Sequence, residues 1–335
     1  MILYDGIIEE LQKGGGISVL FTQLLKNTKE YIYLSYSDLS KISNDNHVIQ
    51  RKSRFMERYR DVPLSSDIPY KSYVFHSTYY RLPKCSDIPI VTTVHDFTYE
   101  KYKSGPAKWL HCLQKYRAIK NSNLIICVSN NTAVDLLKYC DVDEEKIRVV
   151  YNGVSDVYRP INDRVQTNSV LFVGARGGYK NFDIAVKAVS STDHLSLSIV
   201  GGGELTVREK KMLDTYLPNR YRCLGYLSDA DLNLEYNKAY CLLYPSNYEG
   251  FGIPVIEAMR AGCPVIAINS SSIPEVAGDA AILVKDARLD LLVDALLHAN
   301  EFREEYIKRG YIQSQKFSWD TCVEKTRSVY DELLK

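Results

Sequence analysis

The chain lacks any apolar run near the roughly 18 residues that mark a membrane span. Its longest runs, such as Leu124-Ile125-Ile126-Cys127-Val128, are short. Net charge is almost absent: 42 Lys and Arg against 41 Asp and Glu leave +1, so no global field announces nucleic acid as a partner. The 8 cysteines contain no C-x-x-C pair. That disfavours a zinc site or a disulfide frame and leaves buried small hydrophobes in a reducing compartment. The opening residues, Met1 to Gly6, carry neither a basic stretch nor a long apolar one. No leader is expected, and the cytoplasm is the default location. Low-complexity segments and short-period repeats are missing too. Two glycine runs, Gly14-Gly15-Gly16 and Gly201-Gly202-Gly203, fail the G-x-G-x-x-G dinucleotide fingerprint, because Val19 and Thr206 stand where the last glycine belongs.

What is present is an ordinary globular composition. The 335 residues are 45% apolar and 25% charged, enough for two domains with separate cores. Short Val-, Ile- and Leu-rich runs alternate with helical stretches. Such runs suit parallel strands buried on both faces. Strands are expected near 2–6, 31–36, 73–77, 89–94, 124–128 and 147–151, with helices at 16–27, 106–121 and 131–139. A second series has strands near 169–173, 195–200, 221–224, 241–244, 264–268 and 281–284, with helices at 182–190, 204–215, 229–238, 254–261 and 287–299. Residues 301–335 read as helices alone, and the polar stretch 152–168 reads as a linker. The fold class is therefore α/β, with two doubly wound domains. Two such domains imply a cleft, and ligands of open α/β sheets bind beyond the carboxyl ends of the strands.

Candidate chemistry clusters at those strand ends. After the strand ending in Leu243-Tyr244-Pro245 comes Tyr248-Glu249-Gly250-Phe251-Gly252-Ile253-Pro254-Val255-Ile256-Glu257-Ala258-Met259. Pro254 suits the first turn of a helix, and Gly250 and Gly252 allow close approach by a ligand. A helix start behind such a loop attracts anions. Glu257 lies among apolar neighbours and needs a partner, which ribose hydroxyls can supply. The alternatives are a helix-dipole role or a pair with Arg260. A second segment runs from Gly174 through Arg176 and Lys180 to Phe182. Two cations at a helix start oppose the macrodipole unless an anion such as a diphosphate sits between them. The alternative is a solvated turn. In a third segment, His95 and Asp96 end a buried-looking strand, where a structural histidine and an N-terminal cap are the plainer readings. Gly15 and Gly16 open the first helix and can offer N–H groups to phosphate. Arg51, Lys52, Arg54, Arg58 and Arg60, interleaved with Phe55, Met56 and Tyr59, read as a helix. Its basic face is either plainly solvated or turned to an anionic membrane or lipid diphosphate. The 26 tyrosines fit sugar-stacking platforms or simple packing.

The block Glu249-x7-Glu257 in "YEGFGIPVIEAM", followed by "AGCPVIAIN", resembles the retaining glycosyltransferases of family 4, which have the GT-B fold. "ILYDGIIEELQKGGGISVLF", "TTVHDFTYEKY", "IICVSNNTAVDLL", "VVYNGV", "LFVGARGGYKNF" and "FSWDTCVEKTRSVYDELLK" extend the resemblance over almost the whole chain. It implies two Rossmann-like domains. An acceptor-binding domain spans 1–155 and is completed by a terminal helix at 318–335, while a nucleotide-sugar-binding domain spans 165–317. It implies that Glu257 holds the ribose, and that Glu249 with Gly250, Phe251, Gly252 and Ile253 contacts the donor. Arg176 and Lys180, near Gly174, neutralise the diphosphate with Gly15 and Gly16, and His95 and Asp96 lie by the transferred sugar. Charge stabilisation on the leaving group is then the main catalytic term. No metal and no cofactor are implied. The expected donor is a GDP-, UDP- or dTDP-sugar, with a lean to GDP-mannose. The expected acceptor is a saccharide or polyprenyl-diphosphate-linked saccharide in polysaccharide, O-antigen or lipopolysaccharide assembly, at the cytoplasmic face of the inner membrane. A non-catalytic nucleotide-sugar-binding subunit, a sugar-nucleotide epimerase and an NAD-dependent oxidoreductase are the competing classes.

Overall fold

The computed structural model describes residues 1–335 except 13–14, 37–46, 65–67, 69–72, 85–86, 163–164 and 335. The chain divides into two compact units. The first holds Met1–Asn152 and Trp319–Lys335, the second Gly153–Ser318.

In the first unit the order is β1 (Ile2–Asp5), α1 (Ile8–Leu11), α2 (Gly16–Asn27), β2 (Tyr31–Ser35), β3 (Val48–Gln50), β4 (Val74–Ser77), β5 (Ile90–Val94), α3 (Thr98–Tyr102), α4 (Gly105–Lys120), β6 (Leu124–Cys127), α5 (Asn130–Tyr139) and β7 (Ile147–Val149). The strands form one parallel sheet in the order β3-β2-β1-β4-β5-β6-β7. Alternate residues serve its two faces, as the pleat requires. Ile2 and Tyr4 join Leu20, Phe21 and Leu24 of α2 on one side, while Leu3 joins Phe75 and Ala118 on the other. The expected strands and longer helices appear within one to three residues. The short β3, α1 and α3 were not anticipated, because three to five residues carry too little periodicity to stand out.

The second unit contains β8 (Ser169–Val173), α6 (Phe182–Ser190), β9 (Ser196–Val200), α7 (Val207–Tyr216), β10 (Tyr221–Gly225), α8 (Asp229–Lys238), β11 (Cys241–Tyr244), α9 (Ile253–Ala261), β12 (Val265–Ile268), α10 (Ile273–Ala277), β13 (Ile282–Val284), α11 (Leu289–His298) and α12 (Arg303–Ser314). Its parallel sheet runs β10-β9-β8-β11-β12-β13, and its core gathers Phe172, Ile199, Leu243 and Ile266 with Val186 and Leu292. Strand order reverses between β8 and β11. In the first sheet the reversal lies between β1 and β4.

Two expectations are corrected. The stretch 153–161 is no free linker but is fastened to α8: Arg159 and Ile161 donate backbone N–H to the side chains of Asn233 (3.1 Å) and Asn237 (2.8 Å). The basic stretch 51–60 is not an α-helix. It is irregular apart from a single 3-10 turn at Glu57–Tyr59, with Met56 left-handed. Glu57 causes this, because it draws Arg54 (2.6 Å) and the fully buried Arg81 (2.5 Å) onto one carboxylate. Arg81 also pairs with buried Asp5 at 2.8 Å. The last helix, α13 (Trp319–Leu333), follows the second unit in sequence and is part of the first, the domain with which the family resemblance groups it. Its Trp319, Cys322, Val323, Val329 and Tyr330 are buried in the core that also contains α2. No described helix is long and apolar enough to cross a membrane.

Candidate active site

The switch point of the second sheet carries the densest chemistry. Lys180 follows β8 on a 3-10 turn and Glu249 follows β11, and the two side chains form an ion pair. The Tyr244 hydroxyl lies 3.5 Å from the same ammonium. The loop from Glu249 to Gly252 is held from behind by the residues after β12. Glu249 donates its N–H to Ser271 Oγ (2.9 Å), and the buried Ser272 hydroxyl lies between the carbonyls of Glu249 (3.0 Å) and Phe251 (2.9 Å). Phe251 is buried and meets Phe317 edge-on at 5.6 Å. Gly252 opens α9 at φ 100°, where a Cβ would stand 2.7 Å from Ile273 Cδ1. Both facts demand glycine. Ile253 is the first residue of α9 and Pro254 lies in its first turn.

Glu257, one turn into α9, is half-buried and accepts a hydrogen bond from the buried Tyr236 hydroxyl at 3.1 Å. Burial raises its carboxyl to about 7, against the lowering effect of the Tyr236 hydrogen bond. Tyr158 also bonds to it and donates to Asp229 at 3.1 Å. The alternative pair with Arg260 does not form, since Arg260 is taken by Asp156. Neither Tyr158 nor Tyr236 stood out in the sequence, where they are two of 26 tyrosines.

Arg176 is engaged differently from Lys180. Its Nε donates to Glu209 (2.9 Å), and its Nη atoms donate to the carbonyls of Gly201 (2.9 Å), Gly202 (3.3 Å), Gly203 (3.2 Å) and Glu204 (2.8 Å). The three glycines sit at φ 79°, 75° and 74°, which turns the loop around the guanidinium. A Cβ on Gly202 would fall 2.5 Å from Arg176 Nη1. This run therefore presents carbonyls to a cation, not N–H groups to a phosphate. Glu209 also closes a capping box with Thr206 at the start of α7, joining both ends of the loop. Gly174, at φ 121°, ends β8 beside it and donates its N–H to Val200.

In the first unit, Gly15 (φ 151°) caps α2 and Gly16 is the first residue of that helix, beyond the end of β1. Gly14 lies outside the described residues. His95 and Asp96 follow β5. Burial pushes the His95 imidazole down to about 4; the Asp96 charge opposes this and Lys115 adds to it. His95 is thus neutral near pH 7, and its Nε2 has no hydrogen-bond partner among the described residues. Asp96 accepts the Thr98 N–H at 2.8 Å, a bond across the turn that leads into α3, whose N-cap is Phe97. Beneath this turn the fully buried Lys115 binds Asp96 O (2.5 Å) and Glu100 (3.0 Å), and its ammonium lies 3.4 Å from the Phe97 ring centre.

Two Asp-x-Asp tripeptides occur, Asp141-Val142-Asp143 and Asp229-Ala230-Asp231. Asp143 caps a 3-10 turn, and Asp229 and Asp231 lie in the first turn of α8. No group of three or more His, Cys, Asp or Glu side chains among the described residues is arranged to hold a metal.

Lys180 and Glu249 thus meet at the switch point of the sheet, in front of the helix that carries Glu257. Comparison with known proteins decides the family. Residues 156–313 match the model for glycosyl transferases group 1, and residues 70–157 match that for glycosyltransferase family 4. The chain belongs to the family 4 type of glycosyltransferase. It is 28% identical over 287 residues to the O-antigen chain mannosyltransferase B of Escherichia coli, covering 78% of this chain and 74% of that one. It is 31% identical over 204 residues to the O-antigen chain mannosyltransferase RfbU of Salmonella typhimurium, covering 56% and 57%. Among solved structures, sucrose-phosphate synthase from Thermosynechococcus elongatus superposes with a TM-score of 0.80 at 17% identity, covering 99% of this chain and 98% of that one. The fold of this glycosyltransferase is accordingly GT-B, two Rossmann-like parallel sheets.

Proposed function

We propose that this glycosyltransferase moves a sugar, with retention of configuration and without a metal, from a nucleotide donor to a saccharide or lipid-linked saccharide in polysaccharide assembly. Mannose, carried by GDP, is favoured over UDP- and dTDP-sugars because relatives matched over more than three quarters of the chain are named for mannosyl transfer. The observation that carries the reading is the Lys180–Glu249 pair at the β8/β11 switch point. Ligands of open α/β sheets bind there. An incoming diphosphate competes with Glu249 for the Lys180 ammonium and frees the carboxylate for the donor sugar. Lys180 then meets the negative charge that grows on the leaving group, a form of catalysis in which the stabilising charge is already in place. The N-terminus of α9, behind Gly250, Gly252 and Ile253, adds its dipole. Glu257 accepts the ribose hydroxyls. Arg176, with its donors engaged, orders the loop beside the phosphates. His95, Asp96, Gly15 and Gly16 keep the roles that the family pattern implies for them, and the acceptor hydroxyl gives its proton to the departing phosphate.

Two measurements test this. A thermal-shift screen of GDP, UDP, dTDP and NAD identifies the nucleotide, since a ligand of the native state raises its stability. Turnover of the matching labelled donor then separates an enzyme from a non-catalytic binding subunit and from an epimerase. Lys180→Ala and Glu257→Ala are expected to abolish transfer while the far-UV spectrum stays native. Full activity in both variants overturns the site.

A further inference from the structure

We propose that the carboxyl ends of β4 and β5 form a pyranose-binding subsite for the saccharide acceptor, with Tyr79 and Tyr99 as stacking walls and Arg58 and Asp96 as polar rim. This rests on the transferase reading above, which puts the donor on the second unit and leaves the first unit's strand ends for the other substrate.

Four rings converge at this place. Tyr99 stacks on His111 with centroids 3.9 Å apart and planes 23° apart. Tyr79 and Tyr80 approach the same imidazole at 5.9 Å and 5.8 Å. His111 and Tyr80 are buried, whereas Tyr79 and Tyr99 are half-buried and retain open surface. The inner pair therefore props the outer pair. Burial holds the His111 imidazole down to about 4, so the centre of the stack is uncharged near neutrality. The turn that presents Tyr79 is strained. Tyr80 adopts φ 53°, a conformation that costs a non-glycine residue free energy. Ser77 Oγ fixes it by accepting the N–H groups of Tyr79 (3.1 Å) and Arg81 (3.0 Å).

Polar groups border the rings. The Arg58 guanidinium lies 4.8 Å from the Tyr59 ring centre and 5.1 Å from that of Tyr79, and its Nε has no hydrogen-bond partner among the described residues. Gln114 holds the Arg58 carbonyl, which seats this segment against α4. Asp96, at the end of β5, adds a half-buried carboxylate. Aromatic faces with a few convergent donors and acceptors are the usual lining of a small-molecule site. A pyranose offers matching chemistry: carbon-bound hydrogens on its faces and hydroxyls at its edge. A core packing role alone does not require half-open rings at a strand end, nor a strained turn to present one of them.

The test uses saturation-transfer NMR on the full chain with methyl α-glycosides of mannose, glucose, galactose and N-acetylglucosamine. At least one is expected to bind, with saturation strongest on carbon-bound ring protons of one face. Tyr79→Ala and Tyr99→Ala are expected to weaken binding about tenfold each, the scale of one lost aromatic contact. Tyr99→Phe and Tyr79→Phe keep the rings and are expected to keep binding, which separates loss of the platform from loss of the fold. Absence of binding by all four glycosides to the wild type, or Ala variants that bind as the wild type does, overturns the subsite. Donor turnover is scored separately. Failure of the transferase reading shows as absent turnover with glycoside binding intact, and failure of the subsite as turnover without glycoside binding.

Discussion

Glu257 is the residue whose chemistry depends most on its surroundings. Its pKa of about 7 arises from burial, partly offset by the Tyr236 hydroxyl. Only the carboxylate form can accept two ribose hydroxyls, so nucleotide affinity is expected to rise as pH increases through about 7. Tyr236→Phe removes the hydrogen bond that favours the charged form and moves this midpoint to higher pH, while Glu257→Gln flattens the profile. Calorimetric titration of the nucleotide across pH 6–8.5 reads both effects. A Tyr236→Phe midpoint at or below that of the wild type would overturn the account. Glu249 and Glu257 were legible from the sequence because the Gly-Phe-Gly-Ile-Pro turn between them announces a helix start. Their partners were not. Lys180 comes from 69 residues upstream and Tyr236 from 21 upstream. Lys180 stood out as a diphosphate cation but not as the partner of Glu249, and nothing local marks which tyrosine the fold will bring near Glu257.

Elements show the same division more sharply. The helix α9 was legible in type and position, because Gly252, Pro254 and Gly262 punctuate it. The segment that clamps its entry loop, Ser270–Ser272, was not, since three serines read as a turn in any context. The helix α13 was legible as a helix, and the family resemblance groups it with the first domain; the contacts that hold it there were not legible. Its Tyr330 hydroxyl lies 2.6 Å from His76 Nδ1, while His76 Nε2 lies 2.9 Å from Thr93 Oγ1. This chain of contacts ties the C-terminal helix to β5, two residues before His95. Removing residues 319–335 deletes five buried side chains, Trp319, Cys322, Val323, Val329 and Tyr330, and uncovers the core surface they pack on, at about 1.5–3 kcal/mol for each of the larger ones. The loss matches the roughly 5–15 kcal/mol that stabilises a whole domain. The truncated chain is expected to lose the cooperative unfolding of the first unit while the second still unfolds in one transition. Calorimetry distinguishes this from two retained transitions.

At the scale of the whole molecule, the two units answer acid differently. Burial holds His76, His95 and His111 of the first unit down to about 3, 4 and 4, against 6.5 for an open histidine. The unfolded state then binds more protons than the native state below 6.5, so this stability is complete above pH 6.5 and is lost as pH falls toward 4. Asp5, raised to about 6 by burial, works the other way but is one group against three. Glu257 in the second unit favours stability at lower pH, because its native carboxyl holds its proton more tightly than the unfolded one. Acidification from pH 7 to 5 is expected to lower the denaturation midpoint of the first unit selectively, with His76→Gln reducing the slope. An equal fall in both units, followed by guanidinium titration with hydrogen exchange, would contradict this. By itself the sequence determined the alternating α/β pattern, the two parallel sheets and the strand ends where chemistry lies, because hydrophobic periodicity and glycine–proline punctuation are local properties of the chain. Only the tertiary structure decided that Arg176 is closed in by glycine carbonyls while Lys180 faces Glu249, that 153–161 is strapped to α8, and that Tyr330 of the last helix meets His76. Those outcomes depend on which distant groups meet in space, and spacing along the chain does not encode that meeting.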